Sequence, residues 1–280
     1  MLPMELEPKQ QEPVVVPSSD TPLEPFPPAS TVMSDGEAQQ QRAFSLGVVL
    51  LLAVVFLVAD FIASVVYVSY RLHVYHESMD KLTTDPAILL SGEAIAYLFT
   101  FLTMFMLVKH GLPEPFWRGV QWMWPSRPAV VAGFLALGVP LALGITSLES
   151  ILPMPSHAPF QKMFTGAAAA YGIGIFAVTV APLMEELFFR GFMYPALRRY
   201  GTLIGVTGTS LAFALLHGAQ YGWGWSVALM FAVGLVLTVA RAWTGSVAPG
   251  FLIHVGYNLT LFFLLFLATD HFQHLERLTQ

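Results

Sequence analysis

Residues 167–190 read AAAAYGIGIFAVTVAPLMEELFFR, an apolar run that ends in two carboxylates and a guanidinium, Glu185, Glu186 and Arg190. A helix needs about 20 predominantly apolar residues to cross a hydrocarbon core of roughly 30 Å. This stretch is long enough, so its ionisable end lies in or beside the membrane. Each such group at bilayer depth costs roughly 2.5 to 3.5 kcal/mol by insertion scales, so it usually faces a protein interior and marks a reaction or transport site. The stretch therefore predicts both a membrane-embedded helix bundle and a polar site within it.

Working outward, the composition agrees. The 280 residues are 55% hydrophobic and only 11% charged, with a mean hydropathy of +0.64, whereas soluble domains carry about 25% charged residues. Seven stretches can span, at 44–70, 87–109, 128–147, 167–189, 202–218, 224–241 and 247–268. The expected fold is an all-α, polytopic bundle of about seven spans, or eight, with a polar active-site cavity opening toward one membrane face. Residues 1–43, rich in Pro, Glu, Gln and Ser, read as a disordered cytoplasmic tail, since they hold too little apolar surface to offset the entropy of ordering. Two further helices and a loop fill 44–127, a core occupies 128–270, and 271–280 forms a C-terminal tail. No basic start with a short apolar stretch precedes Ala43, so a cleaved signal peptide is not expected.

The net charge of −5 gathers in the N-terminal tail and gives no basic surface for nucleic acid, which is not an expected partner; membrane lipids are. With no cysteine, disulfides, thiol nucleophiles and thiolate metal sites are excluded. Placing the N-terminus in the cytoplasm puts Lys9, Arg42, Lys109, Arg118, Arg127, Arg190, Arg198, Arg199 and Arg241 inside, against Arg71, Lys81, Lys162 and Arg277 outside. That follows the positive-inside bias. An eighth or a re-entrant segment would invert the C-terminal half. Trp117, Trp122 and Trp124 predict an interfacial belt, Gly222-Trp-Gly-Trp225 a tight turn, and Gly201/Gly205 a close helix approach.

On a helix Glu186 and Arg190, four apart with the acid first, share a face and pair. Glu185 points about 100° away, free to face another partner. Two more apolar segments carry polar pairs one turn apart, Phe213/His217 and His254/Asn258. Singly, each histidine reads as a hydrogen-bonded interhelical residue. Together these groups supply what hydrolysis requires: a base for water, an orienting imidazole and donors for an oxyanion. Glu93 and Asp60 also lie within spans. Either could line a cavity, and pairing with a neighbouring helix is the reading we favour.

Glu-Glu-x-x-x-Arg (185, 186, 190), Phe-x-x-x-His (213, 217) and His-x-x-x-Asn (254, 258), in that order on successive apolar segments, closely resemble the CAAX protease and bacteriocin-processing family, also called CPBP or Abi. The resemblance covers about 165–270. It implies an integral-membrane endopeptidase, prenyl-protein-endopeptidase-like, acting on a lipidated protein or a peptide leader, and short loops suggest a bacterial inner membrane. By the same resemblance Glu185 with His217 would activate water, and His254 with Asn258 would stabilise the oxyanion. Glu186 and Arg190, with Phe213, would hold the geometry. The family is described both as metalloproteases and as glutamate-type proteases. A metal, if bound, would be zinc on Glu185, His217 and His254, a two-His, one-carboxylate set. The chain lacks a His-Glu-x-x-His motif, and Asn258 suits oxyanion donation better than ligation, so the reading without a cofactor is preferred. Two other classes compete: a non-catalytic scaffold or bacteriocin-immunity-type protein, and an ion-coupled transporter, which would require internal repeats.

Overall fold

The computed structural model describes residues 43–82, 85–154 and 163–279; the proposed tail, with Lys9 and Arg42, and Lys162 lie outside them. Every regular element among those residues is helical. Helices α1 (Leu46–Val74), α2 (Pro86–Gly111) and α3 (Pro128–Glu149) are the first three spans. The fourth is composite: α4 (Ala167–Val178), α5 (Val180–Glu186), a π-helical segment over Leu187–Met193, and α6 (Tyr194–Arg198). Then follow α7 (Thr202–Tyr221), α8 (Trp225–Thr244) and α9 (Ala248–Ala268). Seven helical stretches among the described residues are long and apolar enough to cross a membrane, each overlapping one read from the sequence.

Local chemistry sets the ends. Ser45 caps α1 by accepting the Val48 amide at 3.3 Å, and Asp85 caps α2 by accepting the Ala87 amide at 2.9 Å. Proline at the start of α2, α3 and α9 sits where no intrahelical N–H is needed. Between α7 and α8 the chain reverses through Gly222 (φ 92°) and Gly224 (φ 91°), a backbone that side-chain-bearing residues rarely adopt. Large apolar side chains such as Leu50, Phe61, Leu203 and Trp243 stay exposed on the outer faces, as a lipid-facing surface requires.

The interior is built by close approach. At the α3–α9 crossing, a Cβ on Gly138 would collide with the Tyr257 backbone, and one on Gly256 with the Leu135 carbonyl. Small residues let backbones meet where lipid offers no hydrophobic drive for association. Gly205 does this on a lesser scale against Arg198, where a Cβ would come within 3.0 Å of its Cα, while Gly201 (φ 126°) turns the chain into α7. Two apolar clusters result. One gathers Phe44, Leu52, Met104, Trp122, Leu187 and Phe192; the other gathers Ile145, Phe189, Phe213, Val233, Leu237 and Tyr257. Phe188 and Met193 pack against both, which places the end of the fourth span at their seam.

The tryptophan belt is only partly as expected. Trp117 and Trp124 are exposed, but Trp122 is buried, its ring 5.2 Å from that of Phe251. Its loop is fastened from below, because the Val247 amide donates to the Gln121 carbonyl at 3.0 Å. Ser246 also exchanges two hydrogen bonds with the Met123 backbone. The orientation tally shifts as well: Arg190 and Arg241 are both buried and so belong to the interior rather than to a cytoplasmic face.

Candidate functional site

Glu186 ends α5 and is fully buried. Its Oε1 accepts from Arg190 Nη1 at 2.8 Å and from His254 Nδ1 at 3.1 Å. Arg190, also fully buried, spends its other donors on α8: Nη2 on the Gly234 carbonyl at 3.1 Å and Nε on Thr238 Oγ1 at 3.3 Å. Its guanidinium lies 4.8 Å from the Phe213 ring centroid, a desolvated cation–π contact. One ion pair thus joins the fourth span to α7, α8 and α9. The pairing expected four residues apart is present, although the helix passes into π geometry at Leu187; such bulges are frequent at functional sites. Room for the carboxylate comes from Gly250, where a Cβ would stand 2.7 Å from Glu186 Oε2.

The π segment is itself held. Arg241 Nε donates to the Arg190 carbonyl at 3.1 Å, its other end bonds Gln121, and its guanidinium lies over Tyr194. Sequence reasoning gave Arg241 no interior role. Three residues ahead of Glu185 the opposite device operates. Pro182 has no N–H to continue the ladder and crowds the carbonyl of Val178, and α4 breaks at Thr179 (φ −116°, ψ −68°). The Ala177 carbonyl beside this break accepts Asn258 Nδ2 at 2.7 Å. Asn258 therefore ties α9 to the kink with one amide N–H and keeps a second.

Glu185, the adjacent residue, has different surroundings. Its Oε2 lies 3.8 Å from His217 Nε2 and 3.8 Å from His254 Nε2, and is buried with no hydrogen-bond partner among the described residues. The tautomers follow from the far nitrogens. His217 Nδ1 is 2.8 Å from the Phe213 carbonyl and His254 Nδ1 faces the Glu186 carboxylate; both partners can only accept, so both Nδ1 atoms carry hydrogen. In the neutral rings each Nε2 is left with a lone pair directed toward the same carboxylate oxygen. Phe213 also packs against His217, with ring centroids 4.2 Å apart and the planes tilted by 35°. Such a set of acceptors can hold a water molecule, or, with unprotonated imidazoles and a carboxylate, a cation. Among the described residues no three His, Cys, Asp or Glu groups lie at metal-ligand spacing.

A polar cavity of about 110 Å³ opens at this point, lined by Glu185, His217, His254 and Asn258 together with Glu93 and Glu149. A second, largely apolar hollow of about 430 Å³ lies between α1, α2 and α7. Glu93, Tyr97, Glu185, His217 and Gln220 line both and form the wall between them. The structure thus brings all four proposed reacting residues to one cavity and sets Glu186, Arg190 and Phe213 immediately behind it. For Glu93 the favoured interhelical reading gives way to the other, since it lines the cavity. Asp60 does not; it borders a separate hollow with Ser64 and Asp85. Glu149 and Tyr221 were missed. Tyr221 lies one turn beyond His217, and helical periodicity could have found it; Glu149, at the end of α3, gave no comparable signal.

Fold and site together define a membrane-embedded helical bundle with a buried Glu/His centre. A profile of the type II CAAX prenyl endopeptidase Rce1-like family matches residues 167–260. An uncharacterized 24.3 kDa protein of Escherichia coli is 30% identical over 195 residues, covering 62% of this chain and 84% of that protein. No solved structure matches. The chain belongs to this Rce1-like, CPBP family of intramembrane proteases.

Proposed function

We propose that this protein is an endopeptidase in which Glu185 activates a water held between its carboxylate and the two imidazoles. The observation that carries this reading is the shared 3.8 Å approach of His217 Nε2 and His254 Nε2 to one unpartnered Glu185 oxygen. Water in that position can give its proton to Glu185 while its oxygen bonds to the scissile carbonyl carbon; His217 orients it. The same carboxyl then returns the proton to the departing amine as the C–N bond breaks. The second N–H of Asn258 serves the oxyanion, as does His254 Nε2–H when the ring is doubly protonated with Glu186 at Nδ1. Removing one such donor typically slows turnover about 10²- to 10³-fold.

One observation favours a second reading. Two imidazoles and a carboxylate are the donor types of a catalytic zinc ion, and His254 rests on Glu186 as zinc-bound imidazoles commonly rest on carboxylates, although the three groups do not stand at metal-ligand spacing in this structure. Lys109, Arg118, Arg127, Arg198 and Arg199 support a cytoplasmic N-terminus, and a bacterial inner membrane is the setting we propose. Purified protein in nanodiscs would be offered lipidated and leader-type peptides, with and without chelator. The proposal expects cleavage that persists in chelator and is lost in His217→Ala; loss in chelator with recovery on added zinc would establish the metal reading. A wild-type protein that cleaves none of the peptides would favour the scaffold or immunity-type alternative.

A further inference from the structure

The candidate cavity is markedly one-signed. Glu93 from α2, Glu149 from α3 and Glu185 from α5 all line it, and no lysine or arginine does among the described residues. Arg190 lies outside the lining and is committed to Glu186, Gly234 and Thr238. No ion pair among the described residues involves Glu93 or Glu149. Carboxylates at membrane depth are costly unless they serve a ligand or a neighbour. Independently of them, His254 is more than nine-tenths buried and His217 nearly so, and both bring Nε2 to this space without a hydrogen bond. A ligand is thus called for there, and the walls fix its sign.

We propose that the cavity selects a peptide carrying a lysine or arginine beside the scissile bond and next to an apolar stretch, with Glu93 and Glu149 reading the charge. The inference rests on the endopeptidase reading and names its substrate class. Charge complementarity chooses the occupant: a cation replaces its hydration with carboxyl oxygens, whereas an acidic side chain would meet three carboxyl groups and no cation among the lining residues. Glu93 is placed for discrimination because it lines both the polar cavity and the apolar hollow beside α1. A basic side chain at that wall lets the adjoining apolar residues lie in the hollow.

The test uses the full-length protein in nanodiscs and one apolar peptide series differing at a single position flanking the cleaved bond: Lys, Arg, Gln or Glu, each with a free or an amidated C-terminus. For wild type, kcat/KM should favour Lys and Arg over Glu by about 10- to 100-fold, with Gln between. Glu93→Gln and Glu149→Gln should each narrow that span, with the loss falling on the Lys and Arg peptides. Equal rates across the series, or a uniform drop for all peptides in Glu93→Gln, would overturn the proposal. Binding of the same peptides to Glu185→Gln, read by fluorescence anisotropy, separates the two levels. If wild type cleaves nothing but Lys and Arg peptides still bind more tightly, and Glu93→Gln abolishes the difference, the endopeptidase reading fails and the charge selection stands. Charge-blind binding sinks the selection whatever the activity.

Discussion

Glu185 and Glu186 are neighbours in sequence and address opposite nitrogens of one ring, His254, yet their surroundings have little in common. Glu186 is fully buried beside an arginine, an imidazole N–H and a glycine that makes space for it. Glu185 borders a cavity, and its inner oxygen meets only lone pairs. A satisfied buried carboxylate fixes positions; an unsatisfied one is left to interact with whatever enters. The same residue type thus divides into scaffold and reactant by what its neighbours have already donated.

The contrast can be broken from its structural side. Arg190→Ala leaves Glu186 buried without its cation, and loss of one partner of such a pair typically costs about 3 to 5 kcal/mol; thermal unfolding in detergent should show a large fall. Arg190→Lys should rescue little, because a single ammonium cannot serve Glu186, Gly234 and Thr238 together. Asn258→Ala comes next: turnover should drop about 10²- to 10³-fold with KM little changed, plus a small destabilisation from the lost bond to Ala177. A rise in KM alone would mark Asn258 as a substrate contact. Gly250→Ala pushes a methyl to 2.7 Å from Glu186 Oε2 and should cost about 1 to 3 kcal/mol by overpacking, measured in the same melts.

The smallest effect lies away from the site, at a carboxylate that two cations hold outside the spans. Glu77, between α1 and α2, accepts from Arg71 at 2.7 Å and from Lys81 at 2.8 Å. Arg71 first, then Lys81, hold its carboxyl down to about 2 from an ordinary 4.5. A depressed folded-state value means the stabilisation is complete above the ordinary value and is lost as pH falls toward 2. The Tm difference between wild type and Glu77→Gln should therefore be present at neutral pH and vanish by about pH 2. A difference that grew on acidification would contradict the sign.

What the sequence discloses and what it withholds divide along the range of the interactions. The seven spans follow from apolar run length, which is local, and Glu186–Arg190 from a four-residue helical spacing that persists into the π segment. The turn at Gly222–Gly224 follows from backbone freedom. Glu93 at the cavity does not: the packing of α2 against later spans, a long-range matter, decides whether its carboxylate meets a neighbour or a hollow. Arg241 counts as a loop-end charge until Gln121 and the Arg190 carbonyl are seen around it. The bond from Asn258 to Ala177 depends on the break at Thr179, and Pro182 hints at that break without saying which carbonyl it frees.

The most direct test of the division between the two carboxylates is a parallel measurement of peptide cleavage and thermal stability for Glu185→Gln and Glu186→Gln in nanodiscs. The account predicts that Glu185→Gln loses cleavage by about 10² to 10⁴ with Tm essentially unchanged, while Glu186→Gln lowers Tm clearly because Arg190 loses its counter-charge. Wild-type cleavage in Glu185→Gln, or an unchanged Tm in Glu186→Gln, would contradict it.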